Sequence, residues 1–196
     1  MENIGILVLA AGKSSRMNGI KQLKKINNKT LLDITLEKLK SRYSDEIYCV
    51  LGANAAAIKS EITSKNIQFI ENLNYEKGLS SSIVSGITYF KKEALNFDGI
   101  FIVLADQPGI EITYLESLIA IFKENTDRII ASNYGNKLGV PAIFPKKYFS
   151  ELLLIKGDKG AKEFINQRES EVICPLTSTN FFDIDTKEDL ELFKNS

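Results

Sequence analysis

Short apolar runs alternate with amphipathic stretches along almost the whole chain. Five runs are rich in Ile, Val and Leu and show little alternation with polar residues, which is typical of strands buried on both faces. They predict strands over residues 4–9, 46–51, 67–70, 99–104 and 128–131. Between them, apolar residues recur every three or four positions, as in the segments 32–39, 83–90 and 115–122, and these patterns predict helices.

Polar residues mark where two of these helices, and a further one near the end of the chain, are expected to begin. The Ser80-Ser81-Ser82 run can cap one helix, Thr113-Tyr114-Leu115-Glu116 has the spacing of a capping box, and Thr186 opens the last helix in the same way. Alternating strands and helices over this length favour an α/β sandwich around a mostly parallel sheet.

The length of 196 residues favours a single domain, 1–196. The alternation of strand and helix changes after residue 131, where a polar turn precedes Gly139-Val140-Pro141. We interpret residues 1–131 as a nucleotide-binding part and residues 132–196 as a part of the same domain that faces the substrate.

Composition excludes several kinds of chemistry and partner. The chain has 25 Lys and Arg, 25 Asp and Glu, and no histidine or tryptophan. Zero net charge gives no general attraction to nucleic acid or to an anionic membrane, so neither is expected as a partner. No apolar run approaches the roughly twenty residues of a membrane span, and no secretory signal is evident, which predicts a cytoplasmic protein. Catalysis must proceed without an imidazole base.

The segment after the first strand has the character of a phosphate-binding loop. Small residues place bare backbone N–H groups at the carboxyl edge of the sheet, where open α/β folds bind ligands, and two basic side chains follow. The segment lacks the glycine spacing of a P-loop and of a dinucleotide-binding fingerprint. An ordinary surface loop is the alternative. The candidate residues are Leu9, Ala10, Ala11, Gly12, Ser14, Arg16 and Lys21.

Two acidic positions form a candidate metal site. Asp106 ends an apolar strand and is followed by Gln107-Pro108, while Asp183 and Asp185 flank a single apolar residue. Mg²⁺ commonly takes one or two carboxylates together with substrate phosphates, so Asp106 and Asp185 are predicted to share one ion. Without the ion these carboxylates are expected to repel each other. The alternatives are that Asp106 caps a turn and Asp185 caps the last helix.

Two further loops carry polar groups without an obvious role in the core. The first runs from Asn74 to Ser82 and offers hydroxyl and backbone donors at a predicted helix start. The second is the compact charged turn Gly157-Asp158-Lys159-Gly160-Ala161. On its own, each is only a loop.

Taken in order, these segments resemble the molybdenum cofactor cytidylyltransferase family, within the wider class of molybdopterin nucleotidyltransferases. The resemblance covers nearly the whole chain and rests on six ordered motifs. They are Leu9-Ala-Ala-Gly-x-Ser-x-Arg-Met with Lys21, Gly78-Leu-Ser-Ser-Ser, Leu104-Ala-Asp-Gln-Pro, Gly139-Val-Pro-Ala-Ile-Phe, Gly157-Asp-Lys-Gly-Ala and Asp183-Ile-Asp-Thr-x-Glu-Asp-Leu. The family usually has Gly directly after Arg-Met, where this chain has Asn18 and then Gly19, so the turn is expected to be shifted.

The resemblance implies a Rossmann-like, three-layer nucleotidyltransferase fold with a mixed, mainly parallel sheet. It also implies transfer of CMP from CTP to the terminal phosphate of the molybdopterin cofactor, with Mg²⁺ as cofactor and a molybdenum hydroxylase as a possible recipient of the product. The implied roles are as follows: Arg16, Lys21 and Asp106 for catalysis, the first loop with Gly78, Ser80, Ser81 and Ser82 for the nucleotide, Asp106 and Asp185 for the metal, and Gly139, Pro141, Gly157, Asp158, Lys159 and Gly160 for the pterin substrate.

Two other functions remain open from the sequence. A guanylyltransferase acting on the same cofactor would read Leu-Ala-Gly-Gly in the first loop, and here Ala11 stands in place of a glycine. Its methyl group is expected to crowd a purine more than a pyrimidine, which favours CTP. A non-catalytic carrier of the cofactor for a hydroxylase is the other alternative, and the presence of both Asp106 and Asp185 favours an enzyme.

Overall fold

Alternate residues of the first strand pack against helices on opposite faces of one sheet. The computed structural model describes residues 3–43, 47–177 and 179–195. In this strand, β1 (Ile4–Ala10), Ile6 and Val8 belong to one buried cluster, and Leu7 and Leu9 belong to another. A strand that is apolar on both faces needs cover on both sides, which explains the three layers.

Seven strands form the main sheet in the order β5-β4-β1-β6-β8-β7-β9. Strands β2 and β3 form a separate two-stranded hairpin. The strands are β1 Ile4–Ala10, β2 Lys25–Ile26, β3 Lys29–Thr30, β4 Ile47–Leu51, β5 Gln68–Glu71, β6 Gly99–Leu104, β7 Ile129–Asn133, β8 Leu138–Pro145 and β9 Val172–Ile173. β5, β4, β1 and β6 are mutually parallel, β8 is antiparallel to both β6 and β7, and β9 pairs with β7 in parallel. The predicted mixed, mainly parallel sheet is therefore confirmed.

Seven α-helices cover the sheet. They are α1 Leu31–Lys40, α2 Ala55–Glu61, α3 Leu79–Lys92, α4 Ile112–Glu124, α5 Phe149–Leu152, α6 Lys162–Asn166 and α7 Lys187–Lys194, as far as the described ranges extend. The apolar stripes of α1 and α4 pack on one face of the sheet, and those of α3, α5 and α6 pack on the other. None of these helices combines the length and the apolar character needed to cross a bilayer.

The predicted strands correspond to β1, β4, β5, β6 and β7, with boundaries shifted by up to two residues. Residue 46, the predicted first residue of β4, lies outside the described residues. Strand β8 was not predicted as a strand, because Gly139 and Pro141 interrupt its pattern. The pairing with β7 shifts register between Ala131 and Ser132, so Pro141 lies where that ladder is irregular. The buried Ser132 hydroxyl donates to the Pro141 carbonyl over 2.7 Å.

One of the three predicted helix starts is confirmed and two are wrong by position. The Thr186 hydroxyl accepts from the Asp189 backbone N–H, and the Asp189 carboxylate accepts from that of Thr186, which completes a capping box for α7. In contrast, α4 begins at Ile112 after Glu111, so Thr113 lies inside its first turn. Helix α3 follows Gly78, so the three serines likewise lie within the helix rather than before it.

Candidate active site

Two adjoining cavities open at the carboxyl ends of β1 and β6. The first, named the nucleotide cavity for the ligand predicted from the sequence, has a volume of about 420 Å³ and is lined by Leu9, Ala10, Ala11, Gly12, Lys13, Lys21, Gln22, Leu31, Tyr75, Glu76, Gly78, Leu79, Ser82, Leu104, Ala105, Asp106 and Asp158. The second, named the acceptor cavity for the same reason, has about 340 Å³ and is lined by Leu9, Leu79, Ile83, Leu104, Gln107, Tyr134, Leu138, Gly139, Val140, Asp158, Lys159, Ala161, Lys162 and Asp183. Four residues border both, so the two cavities form one continuous cleft.

Gln22 fixes the loop that follows β1. Its amide nitrogen donates to the carbonyls of Ala10, at 2.7 Å, and Gly12, at 3.2 Å. Its amide oxygen accepts from the Ser14 hydroxyl, which in turn accepts from the backbone N–H of Lys21 at 2.9 Å. Gln22 is only 4% exposed, so these bonds are shielded from water. Sequence reasoning missed this residue, and its position next to Lys21 was the only signal available.

Positive backbone angles shape the same loop. Ser14 has φ of 59°, Asn18 has 42° and Gly19 has 121°. Asn is one of the few non-glycine residues that adopt the left-handed region readily, so Asn18 supports the turn where the family usually has glycine. The fully buried Met17 anchors the loop against Ile184 and Leu190 in a small apolar cluster.

Lys21 lies between the two predicted metal ligands. Its Nζ is 2.7 Å from Asp106 Oδ2 and 2.9 Å from Asp185 Oδ1, and its side chain is 15% exposed. The Arg16 guanidinium is 2.8 Å from Asp185 Oδ2. The structure thus brings together Arg16, Lys21, Asp106 and Asp185, which are far apart in sequence. The expected repulsion between the two carboxylates is offset here, because the Lys21 ammonium group bridges them.

A backbone contact brings the two acidic segments together. The N–H of Ile184 donates to the Asp106 carbonyl over 2.9 Å, and the Ile184 side chain is fully buried. Asp183 and Asp185 flank this buried residue, so that Asp183 lines the acceptor cavity and Asp185 contacts Lys21 and Arg16. Asp185 does not cap α7 with its side chain, since Thr186 has that role. The Asp185 carboxylate is therefore available to Lys21 and Arg16.

The local environment shifts the pKa values of Lys21, Asp183 and Asp185 in different directions. Burial opposes ionisation of Asp185, but the hydrogen bond and charge of Lys21, aided by Arg16, outweigh it and lower the pKa. Burial likewise disfavours the charged form of Lys21, yet Asp106 and Asp185 together raise its pKa. Asp183 differs. Its side chain is exposed to the cleft, but partial loss of hydration water and the nearby Asp106 charge raise its pKa.

Gln107 links the carboxylate cluster to the acceptor cavity. Its amide nitrogen donates to Asp183 Oδ1, at 2.8 Å, and to the Tyr134 hydroxyl, at 3.0 Å. That hydroxyl donates to the Val140 carbonyl, and the Tyr134 ring stacks on Phe181 with 4.3 Å between centroids. Burial raises the pKa of Tyr134 to about 12, so it remains a neutral donor at physiological pH. Tyr134 was not among the predicted site residues.

The two polar loops meet at Gly78. A side chain at Gly78 would lie 2.3 Å from Asp158 Oδ1 and 2.6 Å from the Gly157 carbonyl carbon, and its φ is 92°. Only glycine allows this close approach. The Ser80 N–H donates to the Gly157 carbonyl over 3.1 Å, which ties the start of α3 to the 157–161 turn.

The three serines after Gly78 differ in their exposure to the cleft. Ser82 lines the nucleotide cavity, and Ser81 and Ser82 both accept from the Asn72 amide, at 2.8 and 3.1 Å. Ser80 is fully buried. The structure thus places Ser82 at the cavity wall, with Ser80 and Ser81 behind it.

The predicted pterin-facing residues are divided between wall and support. Gly139, Asp158 and Lys159 line the acceptor cavity. Pro141 is buried in β8 and contributes its carbonyl to Ser132, so it supports the wall from behind. Gly157 and Gly160 adopt φ of 81° and 58° and shape the turn that presents Asp158 and Lys159.

The carboxylate cluster has a donor set suited to a divalent cation. Asp106 Oδ1 is buried and has no hydrogen-bond partner among the described residues. Carboxylate oxygens are preferred ligands of Mg²⁺. Within the described ranges, no three His, Cys, Asp or Glu side chains form a complete metal cage. A cation held by Asp106 and Asp185 would therefore take further ligands from water or substrate phosphates.

A small pair of residues on the opposite rim also escaped sequence reasoning. Lys13 Nζ is 2.6 Å from Glu76 Oε1 and 5.7 Å from the centroid of the Tyr75 ring. This pair spans from the first loop to the segment before Gly78. It forms part of the mouth of the nucleotide cavity.

An open α/β sheet with a basic loop and acidic side chains at its carboxyl edge defines a nucleotide-handling class of protein. Residues 6–172 match the family described as the MobA-like NTP transferase domain. The chain belongs to this family, and it is a nucleotidyltransferase of the MobA-like type.

Two curated relatives span almost the full length of the chain. Purine catabolism protein PucB of Bacillus subtilis (strain 168) is 27% identical over 203 residues, covering 98% of this chain and 96% of that protein. Nicotine blue oxidoreductase of Paenarthrobacter nicotinovorans is 26% identical and covers 94% and 93%. Among solved structures, Rv0371c of Mycobacterium tuberculosis H37Rv in complex with manganese has a TM-score of 0.78 at 23% identity, covering 100% and 99%. That likeness shows the shared fold.

Proposed function

We propose that this protein transfers CMP from CTP to the terminal phosphate of the molybdopterin cofactor and releases pyrophosphate. The observation that carries the proposal is the pair of adjoining cavities, which share part of their walls and of which the first is lined by Asp106 and Lys21. A transferase must hold a donor and an acceptor with the reacting atoms in contact, and one continuous cleft with charged groups on its wall suits that task.

The nucleotide cavity would hold CTP. Residues Leu9, Ala10, Ala11 and Gly12 line its wall, and Ser14 supports the loop behind them. Arg16 and Lys21 supply two positive charges for the triphosphate, and Ser82, backed by Ser80 and Ser81, would lie near the base and ribose together with Gly78. In this proposal residues 1–131 bind the nucleotide and residues 132–196 face the acceptor.

The acceptor cavity would hold the phosphate-bearing pterin. Lys159 and Lys162 place two cations on its wall, Gly139 leaves space beside the Tyr134 ring, and Pro141 supports β8 from behind. The 157–160 turn borders both cavities through Asp158. A molybdenum hydroxylase would then receive the completed dinucleotide cofactor.

The reaction joins an acceptor phosphate oxygen to the α-phosphorus of CTP. The bond from that phosphorus to the bridging oxygen of the β-phosphate breaks, and pyrophosphate leaves with the electron pair. A phosphate monoester has a second pKa of about 6, so the attacking oxygen is already anionic at neutral pH. No general base is required, which agrees with a chain that contains no histidine. The protein's task is to position both substrates and to neutralise charge.

Asp106 and Asp185 would hold Mg²⁺, and the unpartnered Asp106 Oδ1 supports this assignment. Bound there, the ion would neutralise charge on the transferring phosphates. The manganese in the fold neighbour Rv0371c is consistent with a divalent cation in a protein of this fold. Lys21 and Arg16 flank the same carboxylates and would orient the triphosphate against them.

Ala11 supports CTP as the donor. Its side chain is 7% exposed and lines the nucleotide cavity, so its methyl group reduces the space available to a base. We expect kcat/KM for CTP to exceed that for GTP by about tenfold or more, a modest ratio because pocket shape supplies only a few kcal/mol of discrimination.

The test is pyrophosphate release from CTP or GTP with Mg²⁺ and molybdopterin. Ala11→Gly provides a matched variant, since it should raise the use of GTP relative to CTP. Equal or preferential use of GTP by the wild-type protein would establish a guanylyltransferase instead. Tight binding of the molybdopterin cofactor without pyrophosphate release from either nucleotide would establish a carrier.

A further inference from the structure

We propose that Lys21 is an internal counter-cation, which holds the Asp106–Asp185 pair in competition with the divalent metal until a triphosphate draws its ammonium group away. This inference rests on the proposed metal site, and it concerns how that site is kept from binding metal before nucleotide arrives. It assigns Lys21 a role that precedes its contact with substrate.

The first support is the position of the ammonium group. Nζ of Lys21 contacts one oxygen of each carboxylate, at 2.7 and 2.9 Å, and so occupies the space between them. A divalent cation bound by the same two side chains would need that space. Two cations at ion-pair distance from the same carboxylates repel each other, so each weakens the binding of the other.

The second support is the charge of the cluster. The two carboxylates are matched by two cations within ion-pair distance, Lys21 and Arg16. Lys21 is the more important of the two, because its side chain is 15% exposed whereas that of Arg16 is 67% exposed and screened by water. Metal attraction to this neutralised pair is weak, and it increases once Lys21 moves away.

The third support is the oxygen that Lys21 leaves without a partner. Asp106 uses Oδ2 for Lys21, while its buried Oδ1 has no hydrogen-bond partner among the described residues. A buried carboxylate oxygen without a partner carries an energetic cost. The lysine thus satisfies the cluster only partly, as expected of a ligand that is exchanged rather than permanent.

The fourth support is the way Lys21 is anchored. Its backbone N–H is bound to the Ser14 hydroxyl, and the adjacent Gln22 is buried, so the main chain is fixed while the side chain lines the nucleotide cavity. The four-carbon stem allows the ammonium group to exchange carboxylates for phosphates without movement of the loop. By linkage, the factor by which bound phosphate increases the affinity for the metal must equal the factor by which bound metal increases the affinity for phosphate.

The test measures Mn²⁺ binding without nucleotide, by electron paramagnetic resonance of the free ion. The proteins are wild type, Lys21→Met, Lys21→Gln and Lys21→Arg. Removing the charge in Lys21→Met and Lys21→Gln should tighten Mn²⁺ binding by about tenfold or more, because an attractive pair of carboxylates is left without its internal cation. Lys21→Arg retains a cation and should stay within about threefold of wild type.

Matched controls separate this effect from a general change in charge. Lys13→Met removes a lysine from the wall of the same cavity but one that pairs with Glu76 and not with the carboxylates, so Mn²⁺ affinity should be unchanged. Adding Asp106→Asn to Lys21→Met should abolish the gain. Mn²⁺ should also raise the melting temperature of Lys21→Met by more than that of wild type.

Equal or weaker Mn²⁺ binding by both neutral variants would overturn the proposal, as would a gain that survives Asp106→Asn. If Lys21→Met does not fold, Lys21→Gln retains a hydrogen-bond donor for the carboxylates and decides the question. Because no nucleotide or pterin is present, a wrong assignment of CTP or of the acceptor would not affect these results.

Discussion

The two walls of the cleft are constructed differently. On the nucleotide side, the buried Gln22 binds two backbone carbonyls and the Ser14 hydroxyl, and the loop is held from within. On the acceptor side, the 157–162 turn presents exposed charged side chains, and Lys159 is paired with Glu163 of the next turn at 3.4 Å. The comparison indicates that the wall of the nucleotide cavity is fixed by buried hydrogen bonds, whereas the wall of the acceptor cavity presents mainly exposed charges to the acceptor that we propose for it.

This difference predicts where substitutions act. Changes in the nucleotide wall should reduce stability and nucleotide affinity together, since the same hydrogen bonds maintain both. Changes in the acceptor wall should alter acceptor KM with little effect on folding. Changes in the cluster of Asp106, Asp185 and Lys21 should act on turnover itself.

The largest effect is expected in the cluster of Asp106, Asp185 and Lys21. Asp106→Asn and Asp185→Asn should each reduce Mg²⁺-dependent kcat by about 10²–10³, the usual range for loss of one group that stabilises a transition state. Asp183→Asn should retain more activity, because Asp183 is bound by Gln107 and does not contact Lys21. Steady-state pyrophosphate release checks this order, and an Asp183→Asn protein less active than Asp185→Asn would contradict it.

The next largest effect tests the nucleotide wall. Gln22→Met keeps the size of the side chain but leaves the Ala10 and Gly12 carbonyls and the Ser14 hydroxyl without their partner. Buried polar groups without partners cost about 1–3 kcal/mol, so the free energy of unfolding should fall by that amount. The KM for CTP should rise as well, because the loop no longer holds its N–H groups in place. Urea denaturation and nucleotide titration measure both.

Lys159→Ala on the opposite wall is the control for that comparison. An exposed lysine in an i,i+4 pair contributes little to stability, so unfolding should change by no more than about 0.5 kcal/mol. A Lys159→Ala protein that is destabilised as much as Gln22→Met would mean that the two walls are not different in kind.

The same substitution should weaken use of the acceptor. If Lys159 faces the phosphate-bearing pterin, its loss should raise the acceptor KM by about fivefold, the equivalent of roughly 1 kcal/mol for one partly exposed charge. The KM for CTP should stay unchanged. A rise confined to CTP would place Lys159 with the nucleotide instead.

The parts of the fold that could be predicted are those with a strong local pattern. β1, β4 and β6 are continuous apolar runs, and all three were predicted as buried strands. The order that places β4 and β6 on either side of β1 was not predicted, because it depends on long-range pairing. β8 could not be predicted, because its proline and glycine disrupt the pattern and only pairing with β6 and β7 defines it. The capping box predicted at Thr113 was wrong, because α4 begins directly after Glu111 and Thr113 lies in its first turn, where its hydroxyl donates to the Glu111 carboxylate.

The site shows the same division. Its small and basic loop residues, and the acidic residues at Asp106 and Asp185, carry local signals that place them at one edge of the sheet. Their mutual contacts depend on long-range pairing, above all the Ile184 N–H to the Asp106 carbonyl. The bridging position of Lys21, the hub at Gln22 and the Tyr134–Gln107–Asp183 chain were invisible in sequence, since each depends on the direction of a side chain in three dimensions.

The smallest effect concerns Asp183 and the pH dependence of stability. Its pKa is raised in the folded protein, first because surrounding protein atoms displace part of its hydration water and then because of the Asp106 charge. The folded state therefore holds this proton more tightly than the unfolded chain does. Below the ordinary Asp pKa both states are protonated, and Asp183 costs nothing. As pH rises through the raised folded pKa, the folded state must accept an unfavourable charge, and stability falls.

Asp183→Asn removes that charge and still accepts from Gln107, so it should stabilise the protein at pH 7. Because Asp183 is exposed to the cleft, water reduces the gain to about 0.5 kcal/mol or less. The gain should decrease as pH is lowered toward 4, and chemical denaturation of both proteins from pH 4 to 8 measures it. A loss at pH 7 would show that Asp183 is stabilised in its charged form and belongs with Asp185 rather than with the acceptor wall, and a gain that is constant across this range would show that the charge of Asp183 is not its cause.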